Sequence, residues 1–135
     1  MYKRLAHVGI AVKNLDHSLG VFSKLLGLVP GYTEVIPDQK VKAAFFSTGE
    51  SGIELLEPTS PESPIGKFLD KRGEGVHHLS FEVDDIEAEM ARLMNEGFEL
   101  VDQKPRTGAH EYRVAFLHPR STNGVLIELS ERKRG

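Results

Sequence analysis

The chain has 135 residues, and 17 lysines and arginines against 20 aspartates and glutamates leave a net charge of −3, a balance that gives no reason to expect nucleic acid or an anionic membrane as partner. It contains no cysteine, which excludes a disulfide framework, a thiolate metal site and a cysteine nucleophile, so any metal site must be built from histidines and carboxylates. No apolar leader and no run of membrane-spanning length is present, and the expectation is one soluble, cytoplasmic domain.

The first strand reads His7 to Val12, with Val8, Ile10 and Val12 on one face and His7, Gly9 and Ala11 on the other. Asn14 is an N-cap, Leu15, Leu19, Phe22 and Leu26 recur at helical spacing, and Gly27 ends the helix. A strand from Leu28 to Ile36, interrupted by Pro30-Gly31, leads to a turn at Pro37-Asp38. Val41 to Ser47 and Ile53 to Leu56 form a hairpin about Gly49 to Gly52. The order is β-α-β-β-β.

Residues 59 to 74 are a linker with a short helix, in which Ser63-Pro64 supplies the N-cap and first helical position. The next strand, Gly75 to Val83, sets Leu79, Phe81 and Val83 against His78, Ser80 and Glu82; the apolar side is expected on the core. Asp84 or Asp85 caps a helix with Ile86, Met90 and Leu93 on its apolar face and Gly97 beyond its end. Strands follow at Phe98 to Gln103, Tyr112 to Leu117 and Val125 to Ser130, with a loop at Pro105 to His110 and a tail from Glu131 to Gly135 expected to fray.

The second half thus repeats the first. An offset of 71 relates His7 to His78, Leu15 to Ile86 and Phe45 to Phe116, while the closing strands Ile53-Glu54-Leu55 and Ile127-Glu128-Leu129 are 74 apart. This predicts an α+β fold of two tandem βαβββ modules related by a pseudo-twofold, residues 1 to 58 and 75 to 135, with their sheets enclosing a metal-binding cleft. The repeat singles out His7, His78, Glu54 and Glu128. A glutamate on the non-helix face of a strand is costly unless paired or coordinated. Two imidazoles and two carboxylates suit one divalent ion per chain, Zn²⁺ or Co²⁺ foremost, with Ni²⁺ or Mn²⁺ as further candidates. A single such residue is ordinarily structural; four at repeat-equivalent positions are not. His77 alternates away from His78 and is read as a packing residue or a support behind the ligands, His118 as solvent-exposed or a turn contact before Pro119, and Glu57 as structural.

These features resemble the vicinal oxygen chelate (glyoxalase/bleomycin resistance/dioxygenase) superfamily and, within it, the methylmalonyl-CoA epimerases. The segments that carry the resemblance are His7 to Leu15, Ile53 to Pro58, Glu62 to Leu69, Gly73 to His78, Phe81 to Ile86, Gly108-Ala109-His110, and Phe116 to Leu129, with departures at Glu111-Tyr112 and Asn123. The resemblance implies interconversion of (2R)- and (2S)-methylmalonyl-CoA by metal-assisted proton abstraction at C2, through an enolate. It implies Glu128 and Glu54 as acid/base groups as well as ligands, and Gly108, Ala109, His110, Ser121, Thr122 and Gly124 as substrate contacts. A homodimer is expected. A glyoxalase I acting on a glutathione hemithioacetal, or a metal-free binding protein on the same fold, are the alternatives.

Overall fold

The computed structural model describes residues 1 to 132. Its elements are β1 (Tyr2–Ala11), α1 (Leu15–Leu26), β2 (Tyr32–Ile36), β3 (Val41–Ser47), β4 (Gly52–Pro58), α2 (Pro64–Arg72), β5 (Gly75–Val83), α3 (Ile86–Asn95), β6 (Arg106–Thr107), β7 (Arg113–Leu117) and β8 (Ile127–Glu131). The strands follow the hydrogen-bonded order β2-β3-β4-β1-β5-β8-β7-β6, so the fold is α+β. The two βαβββ runs are β1-α1-β2-β3-β4 and β5-α3-β6-β7-β8, with α2 between them. No helix among the described residues is long and apolar enough to cross a membrane. Contacts divide the chain into two compact units: His7–His77, and Met1–Ala6 with the segment from His78 onward. The division falls inside β1, one residue before the first histidine.

In the unit of residues 7 to 77, β1 runs parallel to β4 with Val8 opposite Ile53 and Gly9 opposite Glu54, and β3 runs antiparallel to both β4 and β2. Helix α1 lies on one face of these strands. Leu15 packs there with Val12, Ala44, Phe46 and Leu55, and Leu19, Phe22 and Leu26 close over them with Ile10 and Ile53. The Asn14 side chain accepts from the His17 N–H at 2.9 Å, and Gly27 ends the helix at φ 67°, where a residue without Cβ carries no strain. The Ser63 hydroxyl caps α2 in the same way, accepting from the Gly66 N–H at 3.0 Å. Gly66 has a further reason: a Cβ there would stand 2.5 Å from the Pro61 carbonyl oxygen.

In the other unit, β5 runs parallel to β8 with Ser80 opposite Glu128, and β7 runs antiparallel to β8. Helix α3 buries Ile86, Met90 and Leu93 against Val83, Ala115, Leu117 and Leu129. Its N-cap is Asp85, which accepts from the Ala88 N–H at 3.1 Å.

The structure corrects three expectations. Phe98 to Gln103 is not a regular strand. The Val101 N–H reaches the Phe116 carbonyl at 2.8 Å and the His118 N–H reaches that of Glu99 at 2.8 Å, but the Phe116 N–H donates to the Asp102 carboxylate at 2.8 Å. A side chain replaces a carbonyl in the ladder, leaving a lone bridge between Leu100 and Leu117; regular pairing resumes at Arg106–Thr107, inside the segment read as a loop. Secondly, Glu131 is no frayed tail residue. It closes β8, accepts from the Ile86 N–H at 3.0 Å and pairs with Arg113 at 2.9 Å. Residues 133 to 135 of the expected tail lie outside the described residues. Thirdly, the polar face of β5 is the more buried: His78, Ser80 and Glu82 are 3%, 0% and 3% exposed, whereas Leu79 and Phe81 are half-buried. These polar groups are satisfied rather than stranded, as burial requires. The Arg4 guanidinium donates to Glu82 at 2.8 Å, and the Ser130 hydroxyl lies 3.5 Å from that of Ser80.

Candidate metal centre

Strand alternation decides where each candidate side chain goes. On β4, Ile53 and Leu55 belong to the core beneath α1, so Glu54 between them projects from the opposite face, where it is 5% exposed. On β8, Ile127 and Leu129 pack with the α3 core, and Glu128 is correspondingly turned away and 4% exposed. Each glutamate meets the histidine that the repeat assigns to it. His7 Nε2 lies 3.2 Å from Glu54 Oε1, and His78 Nε2 lies 3.6 Å from Glu128 Oε1.

The two His–Glu separations are close to the spacing of two ligands on one cation. A tetrahedral ion with bonds of about 2.0–2.1 Å holds its donors roughly 3.3 Å apart. The His78–Glu128 separation is longer than a hydrogen bond yet close to that value. The donor set is two nitrogens and carboxylate oxygens, with no sulfur, which suits Zn²⁺, Co²⁺, Ni²⁺ or Mn²⁺ over thiophilic ions.

An aromatic ring flanks each histidine. Phe45 stands edge-on to His7 with ring centroids 6.1 Å apart and planes at 85°; Phe116 stands edge-on to His78 at 5.8 Å and 85°. Both were visible in the sequence only as a repeat-equivalent pair and received no role. His77 packs edge-on against Phe68 at 4.9 Å, in accord with its reading as a packing residue. His118 Nδ1 accepts from the Arg120 N–H at 3.1 Å, a contact inside its own turn.

Glu57, read as structural, has a specific structural part. Its carboxylate accepts from the Leu15 N–H at 2.6 Å, at the first residue of α1. Glu131 does the same for Ile86 at the first residue of α3. The 74-residue offset of the closing strands was the available signal, since it relates these two glutamates as it relates Glu54 and Glu128.

The loop candidates are held by their own hydrogen bonds. Gly108 is buried and its N–H donates to the Tyr112 carbonyl at 2.7 Å, while the Ala109 carbonyl accepts from the Tyr112 N–H at 3.1 Å. His110 is exposed and, with Glu111, has positive φ, 53° and 60°; Glu111 is one of the noted departures. The Ser121 hydroxyl accepts from the Glu99 N–H at 2.8 Å, the Thr122 hydroxyl donates to the Val125 carbonyl at 2.5 Å, and the Gly124 N–H donates to the Pro119 carbonyl at 2.8 Å. Asn123 has φ 56°, a conformation that asparagine tolerates better than most residues.

Residues 6–116 match the family described as the Glyoxalase/Bleomycin resistance protein/Dioxygenase superfamily. An ethylmalonyl-CoA/methylmalonyl-CoA epimerase of Cereibacter sphaeroides is 39% identical over 133 residues, covering 97% of this chain and 99% of that protein. The solved structure of a methylmalonyl-CoA epimerase variant of Streptomyces coelicolor in complex with 2-nitronate-propionyl-CoA is similar with a TM-score of 0.94 and 36% identity, covering 99% of this chain and 100% of that one. A hypothetical protein of Bacillus halodurans is similar with a TM-score of 0.94 and 45% identity, covering 98% and 96%.

Proposed function

This chain belongs to the glyoxalase/bleomycin resistance protein/dioxygenase superfamily, and within it we propose that it is a divalent-metal-dependent epimerase interconverting (2R)- and (2S)-methylmalonyl-CoA. The observation that carries the reading is the pair of buried His–Glu contacts, His7 with Glu54 at 3.2 Å and His78 with Glu128 at 3.6 Å, in a chain matched along 97% of its length by an ethylmalonyl-CoA/methylmalonyl-CoA epimerase. His7, Glu54, His78 and Glu128 are the proposed ligands of one cation, Co²⁺ or Zn²⁺ before Ni²⁺ or Mn²⁺.

The substrate carbon lies between a thioester and a carboxylate and must lose its proton on one face and regain one on the other. When bound, the cation supplies positive charge where negative charge develops on the thioester oxygen. Two acid/base groups accomplish the inversion most simply. Glu128, as carboxylate, takes the C2 proton, and the C–H electron pair moves into the thioester carbonyl to give the enolate. Glu54, as carboxylic acid, then delivers a proton to the opposite face of C2; the reverse reaction exchanges the two roles. Both side chains are nearly shut off from solvent, which keeps each transferred proton from being lost to bulk water at once. The loops that contain Gly108, Ala109 and His110, and Ser121, Thr122 and Gly124, are the proposed frame for the substrate, with their internal hydrogen bonds fixing its outline. The proposed setting is the cytoplasm and the proposed assembly a homodimer, with neither nucleic acid nor membrane as partner.

The test is to supply the purified, metal-loaded chain with each C2 epimer separately and to follow the appearance of the other. The proposal expects both to converge on one mixture. Turnover of a glutathione hemithioacetal, with no epimerisation, would assign the chain to glyoxalase chemistry instead.

A further inference from the structure

The two phenylalanines beside the histidines occupy related places. Phe45 is the cross-strand neighbour of Glu54, and Phe116 is the cross-strand neighbour of Glu128. Each ring is also edge-on to the histidine of the same pair. A phenylalanine therefore neighbours both members of a His–Glu pair, across the strand from the glutamate and edge-on to the histidine, and it does so in both halves of the repeat. A face of a β-strand needs only some apolar group at such a position; it does not need the same ring at the same angle, 85° in both cases.

Each ring is itself held in place, by different means. Phe45 is stacked on Tyr32 with planes at 2° and centroids 5.3 Å apart. Its far edge lies over Gly52, where an added Cβ would stand 2.2 Å from Cζ and 2.8 Å from Cε1 and Cε2. Gly52 has no positive φ to account for it; the ring does. Phe116 is fixed through its backbone, whose N–H is bound by Asp102, and Asp102 is in turn paired with Arg106 at 3.0 Å. Metal ligands are oriented by the groups around them, and loss of such a support ordinarily lowers metal affinity.

We infer that Phe45 and Phe116 are positioning residues, each holding one His–Glu pair in the orientation that binds a divalent cation. The inference rests on the metal-site reading of those pairs. Phe45 acts on His7 and Glu54, with Tyr32 and the vacant Cβ position of Gly52 setting its own orientation. Phe116 acts on His78 and Glu128, with Asp102 setting its backbone.

The experiment measures Co²⁺ affinity of the full chain by chelator competition, with the visible spectrum of the Co²⁺ complex, for Phe45→Leu, Phe116→Leu and Gly52→Ala. Thermal unfolding of the metal-free forms is recorded alongside. Each single variant is expected to weaken Co²⁺ binding by about 10-fold and to alter the spectrum. Gly52→Ala combined with Phe45→Leu is expected to bind no more weakly than Phe45→Leu alone, because the leucine has no atom where Cζ stood. Affinities within twofold of the parent for both phenylalanine variants would overturn the inference, as would strictly additive losses in the double variant. If the parent itself binds no Co²⁺ or Zn²⁺, the metal-site reading fails, and the imidazole ¹⁵N shifts of the metal-free chain still decide the positioning role. One dominant His7 tautomer in the parent and a mixture in Phe45→Leu supports it; the same tautomer balance in both overturns it.

Discussion

Replacing Glu57 by alanine removes the acceptor for the Leu15 N–H at the first residue of α1. Leu15 is 1% exposed, so water does not readily take over that N–H. A hydrogen bond to a charged group contributes about 1.5–3 kcal/mol, and the helix N-terminus favours a negative charge by about 0.3–1 kcal/mol, two figures that overlap because they describe one contact. A loss of about 2 kcal/mol is the central expectation. With roughly 2.1 cal/mol/K of unfolding entropy per residue, a chain of this length has about 0.28 kcal/mol/K, so Tm should fall by about 7 °C. Glu57→Gln keeps an acceptor and loses the charge, and should cost about half as much. Glu57 alternates away from Glu54, so the affinity of the folded chain for Co²⁺ should stay within twofold of the parent. The assay is calorimetric unfolding of the metal-free chain, paired with Co²⁺ titration. A Tm change under 2 °C for Glu57→Ala, or a glutamine variant as unstable as the alanine one, would refute the capping argument.

Glu128→Gln should fold as the parent does and lower kcat by about 10²–10⁴-fold, checked by epimer interconversion. Glu54→Gln should stop interconversion while C2 exchange continues on the face served by Glu128; undiminished interconversion would leave Glu54 as a ligand only. Glu89 is held below the ordinary glutamate value of 4.5, first by the N-terminal ammonium donating to it at 2.6 Å and then by Arg92. A lowered folded-state pKa means that this stabilisation is present above pH 4.5 and is lost as pH falls through the lowered value. Acid titration should therefore show a Glu89→Gln variant with a shallower loss of stability below pH 4.5 than the parent. Phe46→Ala, at a position fully buried beneath α1, should cost about 3–5 kcal/mol in urea unfolding.

Much of the molecule was legible because local chemistry and the repeat agreed. Asn14, Ser63 and Asp85 cap helices as their side chains suggested, and Val41–Ser47 is a strand at the expected bounds. His7 and His78 each face the glutamate that the repeat assigned. What escaped was tertiary. Asp102 takes the place of a carbonyl in the ladder beside β7, and nothing in the apolar pattern of residues 98 to 103 announces a side chain acting as backbone. The capping by Glu57 and Glu131 was not legible, because a solvated glutamate at a strand end and one that reaches a helix N-terminus share the same pattern. The burial of Ser80 and Glu82 depended on partners far along the chain, Ser130 and Arg4, which alternation does not identify.

The central claim is metal-assisted proton removal at C2, and the most direct measurement is deuterium incorporation at C2 of methylmalonyl-CoA in D₂O, with chain stripped by chelator and then reloaded with Co²⁺ or Zn²⁺. The account predicts negligible exchange in the stripped chain and exchange with epimer interconversion after reloading. Absence of exchange with every divalent ion tried, or equal exchange in the stripped and reloaded chains, would contradict it.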